Sequence, residues 1–231
     1  MKTFVLCMLL SLLLSGCSRE VAVATAAPEI SEPTVTEAVR GEETVEASLP
    51  EPADSDFVRI LDYIPTARQE LAYATEGNFT GKVIYPFQDA YLRYGTVKKL
   101  MAVSRDLEEL GMYLKIWDGF RPVSAQFTLW EACPDSRYVA DPNVRFSSHS
   151  RGNTVDLTIT DAQGKELPMP TAFDDFTEKA DRNYEDCTPE QRDHAMILEL
   201  IMEKHGFAGY KREWWHYTDT DSYPVEELFS P

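Results

Sequence analysis

The stretch Ser147-Ser148-His149-Ser150-Arg151-Gly152-Asn153-Thr154-Val155-Asp156-Leu157-Thr158-Ile159-Thr160 runs from a polar loop into a β-branched segment. Thr154 to Thr160 reads as a strand, and Gly152 marks a turn just ahead of it. Such a turn can fold loop and strand together, so that the His149 imidazole and the Asp156 carboxylate converge on one ion. A second stretch, Glu213-Trp214-Trp215-His216, brings another imidazole. Two imidazoles and one carboxylate make a three-ligand set with a fourth position left for water. That is the pattern of catalytic rather than structural zinc. Glu213, three residues before His216, is the natural base for that water.

The rest of the fold follows outward from this strand. Thr96 to Leu110 reads as a helix with Thr96 as N-cap and Gly111 as its stop. Val97, Leu100, Met101, Leu107 and Leu110 share one face of it. Met112 to Trp117 alternates as a strand. Pro122 opens a second helix at its first position, running to about Ala132. Thr188-Pro189-Glu190-Gln191 starts a third, which runs to about His205 before Gly206. His194 and His205 read as structural, the latter complementing the helix dipole in the last turn. Phe207 to Lys211 and Trp214 to Tyr217 read as closing strands. Helices and strands mix without regular βαβ alternation. The expected class is therefore α+β, a single domain with a central antiparallel or mixed sheet and helices packed on it.

The first seventeen residues read as a signal peptide. Lys2 gives a positive start, and Phe4 to Leu14 is apolar apart from Ser11. That run is about half of the roughly 20 residues a membrane-spanning helix needs. It leads into Leu14-Ser15-Gly16-Cys17, a lipoprotein cleavage pattern in which Cys17 carries the lipid. The expectation is an exported protein anchored to a bacterial membrane through Cys17, and recovery in the membrane fraction is its signature. Residues 18–56 read as a disordered acidic tether, with ten acidic residues against Arg19 and Arg40 and no aromatics. From Phe57 aromatics and alternating patterns begin, so 57–231 is the expected folded domain. Export would put Cys133 and Cys187 in an oxidising compartment, either as a disulfide or as two separate buried thiols. The net charge of −17 excludes a nucleic-acid partner, and no protein partner is implied.

Ser-x-His-x6-Asp followed by Glu-x-Trp-His resembles the zinc D-Ala-D-Ala metallopeptidases, a superfamily that shares its zinc site with the hedgehog signalling domain. Three further segments resemble the vancomycin-resistance type D-alanyl-D-alanine dipeptidases. They are Tyr73-Ala74-Thr75-Glu76-Gly77-Asn78-Phe79-Thr80-Gly81, Trp117-Asp118-Gly119-Phe120-Arg121-Pro122, and Phe173-Asp174 after Met169. The resemblance spans about Phe57 to Phe229. It implies a hedgehog/D-Ala-D-Ala peptidase-like fold and one Zn2+ per chain on His149, Asp156 and His216. It also implies Glu213 as general base and Arg121 as the cation that stabilises the oxyanion. Tyr73, Ser147 and Asp174 match residues that hold the substrate, with Asp174 and Tyr73 suited to a free ammonium group. Thr154 departs from the pattern, standing where an alanine is usual. The implied substrate is a small D,D-dipeptide. Two rivals share the motif: a D,D-carboxypeptidase acting on longer cell-wall peptides, and a non-catalytic zinc-binding surface lipoprotein.

Overall fold

A computed structural model describes residues 51–231. Residues 1–50, with the expected signal peptide, Cys17 and most of the tether, lie outside the described residues. In chain order the strands are β1 (Phe57–Arg59), β2 (Arg68–Gln69), β3 (Tyr91–Arg93), β4 (Tyr113–Asp118), β5 (Thr154–Thr160), β6 (Phe207–Tyr210) and β7 (Glu213–Asp219). The helices are α1 (Ile60–Tyr63), α2 (Tyr94–Glu109), α3 (Val123–Ala132) and α4 (Pro189–Lys204). Five strands form the main sheet in the order β2-β4-β5-β7-β6, and β1 pairs with β3 in a small second sheet. In the main sheet only β2–β4 is parallel; the other neighbours are antiparallel. The architecture is the mixed α+β class expected from the sequence.

The β5 strand lies in the middle of the sheet, and all seven of its residues are buried. Its side chains alternate between faces. Val155, Leu157 and Ile159 join the hydrophobic core with Val97, Leu100, Leu107, Leu198 and Met202 of α2 and α4. The other parity, Thr154, Asp156 and Thr158, carries the polar groups. One strand thus supplies both the core and the floor of the site.

The helices show what terminates each element. Helix α4 opens with a capping box: Thr188 Oγ1 accepts from Gln191 N–H while the Gln191 side chain accepts from Thr188 N–H. Pro189 stands at the first helical position, as the sequence predicts, and such a cap stabilises by about 1 kcal/mol. Gly111 and Gly206 follow α2 and α4 with φ of +73° and +84°, the left-handed stop that favours glycine.

Thr96 does not cap α2, which begins at Tyr94. Tyr94 N–H and Gly95 N–H donate to the carbonyls of Asp56 and Asp54 (2.8 and 3.0 Å), so neighbouring backbone satisfies the open end of the helix. The Thr96 hydroxyl instead donates to the buried Asp219 carboxylate (2.8 Å). Leu110, at the C-cap, is 56% exposed rather than on the buried face.

Cys133 and Cys187 are free thiols, so the disulfide alternative does not hold in the structure. Cys133 ends α3, whereas the Cys187 thiol donates to Tyr184 O (3.4 Å) ahead of α4, and each packs separately against the core.

Candidate active site

Strand register sets the site. Asp118 of β4 pairs with Asp156 of β5, and Asp156 pairs with His216 of β7. Direct cross-strand partners share a face, so three polar side chains form a row across the sheet. A bulge between Ile116 and Asp118 breaks the β4 alternation and turns Asp118 into that row.

His149 enters from the 3-10 turn Ser148–Arg151. Ser147 Oγ accepts from His149 N–H (3.3 Å), and Gly152 closes the turn at φ +73°. A Cβ at Gly152 would overlap the Phe57 ring as well as strain the backbone. His149 Nδ1–H donates to Gly119 O (2.8 Å), which leaves Nε2 with a lone pair. That Nε2 lies 3.3 Å from Asp156 Oδ2 and 3.4 Å from His216 Nδ1. His216 Nδ1 lies 3.1 Å from Asp156 Oδ1. Its Nε2 faces Thr218 Oγ1 (3.4 Å), which shares a hydrogen bond with Thr154 Oγ1 (3.0 Å). The hydroxyl that replaces the usual alanine at 154 is therefore accommodated by a cross-strand partner.

The three donor atoms lie within 4.8 Å of one another. Asp156 Oδ1 is fully buried and has no hydrogen-bond partner. A cation among the carboxylate and the two imidazoles would satisfy that oxygen, so the donor set fits a metal ion. Burial alone would raise the Asp156 carboxyl, but the facing imidazoles of His149 and His216 hold it below the usual carboxylate range. Glu213 opens β7, with Oε2 3.5 Å from His216 Nδ1. Burial, and then the Asp156 carboxylate, push its carboxyl up to about 8.

Arg121 is 8% exposed and held rigidly. Nε and Nη2 donate to Asp118 Oδ2 (3.1 and 2.7 Å), and Nη1 donates to Gln126 Oε1 (3.0 Å). A guanidinium has five N–H groups, so one on each terminal nitrogen stays available. Nη2 is 3.9 Å from Asp156 Oδ2, beside the donor set. Asp118 is completely buried; its Oδ1 also accepts from Tyr85 O–H and Gly119 N–H (both 2.8 Å). Sequence reasoning gave Asp118, Tyr85 and Gln126 no role. The available signal was an aspartate three residues before Arg121 at the end of a strand.

Asp174 lies in the left-handed region at φ +57°, an uncommon conformation for a non-glycine residue. Phe173 anchors it by packing on Trp117 and Trp215, with ring centroids 5.0 and 5.6 Å away. Tyr73 O–H donates to both Asp174 oxygens (3.2 and 3.1 Å). Burial, and then the Asp156 carboxylate, push Asp174 well above the ordinary carboxylate range, with Arg121 opposing. A carboxylate in this position gains from a cationic ligand.

Tyr73, Arg121, Ser147, His149, Asp156, Asp174, Glu213 and His216 all line one cavity of about 390 Å3. His194 and His205 lie elsewhere, bonded to Pro168 O (2.9 Å) and Asp106 (2.7 Å). A model of the D-ala-D-ala dipeptidase family matches residues 53–230. The chain belongs to that family. The D-alanyl-D-alanine dipeptidase of Escherichia coli is 37% identical over 177 residues, covering 74% of this chain and 91% of its own. That of Enterococcus faecalis is 32% identical over 197 residues, covering 74% and 95%. A solved vancomycin-resistance D,D-pentapeptidase in complex with Zn(II) overlays at TM-score 0.40 and 14% identity, over 57% of this chain and 74% of that one. Membership in the dipeptidase family makes the chain an enzyme, a zinc metallopeptidase. Among the described residues, His149, Asp156 and His216 are the group that could hold the ion.

Proposed function

We propose that this dipeptidase-family chain hydrolyses free D-Ala-D-Ala with one zinc ion held by His149, Asp156 and His216. The observation that carries the reading is the Asp156 carboxylate, its Oδ1 buried without a hydrogen-bond partner and its two oxygens facing the His149 and His216 imidazoles, in the same cavity as Glu213, Arg121 and Asp174. At about 390 Å3 that cavity is near the small end of ligand sites, in keeping with a dipeptide. An ion held there supplies Lewis acidity toward a carbonyl and lowers the pKa of a water.

The chain's own groups do the rest. Asp174, with Tyr73, takes the substrate ammonium and fixes which carbonyl meets Arg121. The free N–H groups of Arg121 stabilise the negative charge that develops on that oxygen, and Asp118 keeps the guanidinium aimed. Glu213 accepts a proton from the attacking water and passes it to the nitrogen of the departing D-alanine as the C–N bond breaks. Each dipeptide therefore yields two D-alanines. Chelation should stop D-alanine release, and Zn(II) equal to the chain concentration should restore it; release that persists in the chelated protein contradicts the proposal.

Arg121→Ala should lower kcat by roughly 10²–10³-fold, by analogy with loss of one oxyanion donor, at unchanged zinc content. A rise in KM alone would make Arg121 a ground-state contact instead.

A further inference from the structure

Residues 213 and 216 lie on a two-strand edge hairpin, β6–β7, with a register irregularity at Gly209/Tyr210. The edge strand is β6, and β5 pairs with β7 only from His216 to Thr218, so Glu213 is paired on the β6 side alone. Support from outside the sheet reaches this end of the hairpin. The loop between the 3-10 segment Glu178–Ala180 and α4 supplies it through one side chain.

Arg182 lies against this hairpin with its side chain only 9% exposed. Nε donates to Tyr210 O (3.0 Å), and Nη2 donates to Trp214 O (2.9 Å) and His216 O (3.0 Å). Nη1 donates to Tyr217 O–H (3.3 Å) and pairs with Glu199 of α4 (3.4 Å). The guanidinium also stacks over the Tyr217 ring, 4.3 Å from its centroid. Its backbone N–H bonds Lys211 O in the hairpin turn (3.0 Å). Gly209 makes the room: a Cβ there would overlap the guanidinium carbon. One cation thus binds carbonyls at 210, 214 and 216, on both strands and on either side of Glu213. A planar fork of fixed donors suits this task, and a lysine ammonium does not.

We infer that Arg182 is a positioning residue that sets the β6–β7 hairpin so that Glu213 and His216 face Asp156. The inference rests on the roles proposed above for those two residues. Arg182 touches neither substrate nor metal donor atoms; it acts through the backbone that carries them.

The test uses the full chain with Arg182→Met, Arg182→Lys and Gly209→Ala. The readouts are thermal melting, Zn(II) affinity by competition with a chromophoric chelator, and separate kcat and KM for D-Ala-D-Ala. In variants that remain folded, kcat should fall at least about tenfold and Zn(II) affinity about 10–100-fold, the range seen when support of a metal ligand is lost. KM should stay within about threefold, because no substrate contact is removed. Arg182→Lys, the variant least disturbing to folding, should recover melting temperature more than kcat. The kcat losses of Gly209→Ala and Arg182→Met should not add in the double variant, since the new Cβ then meets no guanidinium. A folded Arg182→Lys with wild-type kcat and Zn(II) affinity overturns the inference, as do fully additive losses. Failure of the functional reading looks different: the wild type itself would bind no zinc and release no D-alanine.

Discussion

His216→Ala should purify without stoichiometric zinc and should hydrolyse D-Ala-D-Ala no faster than buffer. Two remaining ligands hold Zn2+ poorly, and the lost imidazole is the cross-strand partner of Asp156. The row across β4, β5 and β7 would keep its carboxylates and lose the neutral donor between Asp156 and Glu213. His149→Ala should behave alike, because His149 supplies one of the three converging donor atoms. Metal analysis and turnover on the same samples check this. Full zinc occupancy in His216→Ala would remove it from the ligand set.

Glu213→Gln should separate metal binding from turnover. Glutamine keeps the size of the side chain and removes the proton acceptor. Zinc content should match the wild type, while kcat drops by about 10²–10⁴-fold, the usual contribution of a positioned acid–base group. KM should change little, since the proposed ammonium contacts, Asp174 and Tyr73, are left intact. Loss of zinc in parallel with loss of rate would instead make Glu213 a ligand. A kcat within a few-fold of wild type would require another base, and among the described residues no other acid lines the cavity apart from Asp156 and Asp174.

Local signals explain what the sequence reveals here. The β5 strand is written in β-branched residues, and α4 in a cap, a proline and a following glycine; both stand where read. The donor set is legible because its members are close in sequence to features that place them: a turn at Gly152, a strand at Asp156, a closing strand at His216. Strands β1, β2 and β3 have two or three residues each, too few for any period to register. The start of α2 depends on carbonyls of Asp54 and Asp56, so no residue within the helix could announce it. Asp118 becomes the support of Arg121 only through a bulge, and Arg182 only through a glycine 27 positions later in the chain. Such roles arise from tertiary placement and leave no pattern along the chain.

Recognition of a free dipeptide is tested most directly by kcat/KM for D-Ala-D-Ala against N-acetyl-D-Ala-D-Ala, in the wild type and in Asp174→Ala. Acetylation removes the ammonium that Asp174 and Tyr73 are proposed to meet, which would leave a carboxylate in the cavity without its cation. A site built around such a contact can reject an analogue lacking it by as much as about 10⁴–10⁵-fold. A wild-type preference on the order of 10³-fold or more for the free dipeptide is expected, narrowed in Asp174→Ala chiefly by slower cleavage of that substrate. Equal kcat/KM for the two substrates in the wild type would contradict the dipeptidase account and favour a carboxypeptidase acting on longer wall peptides.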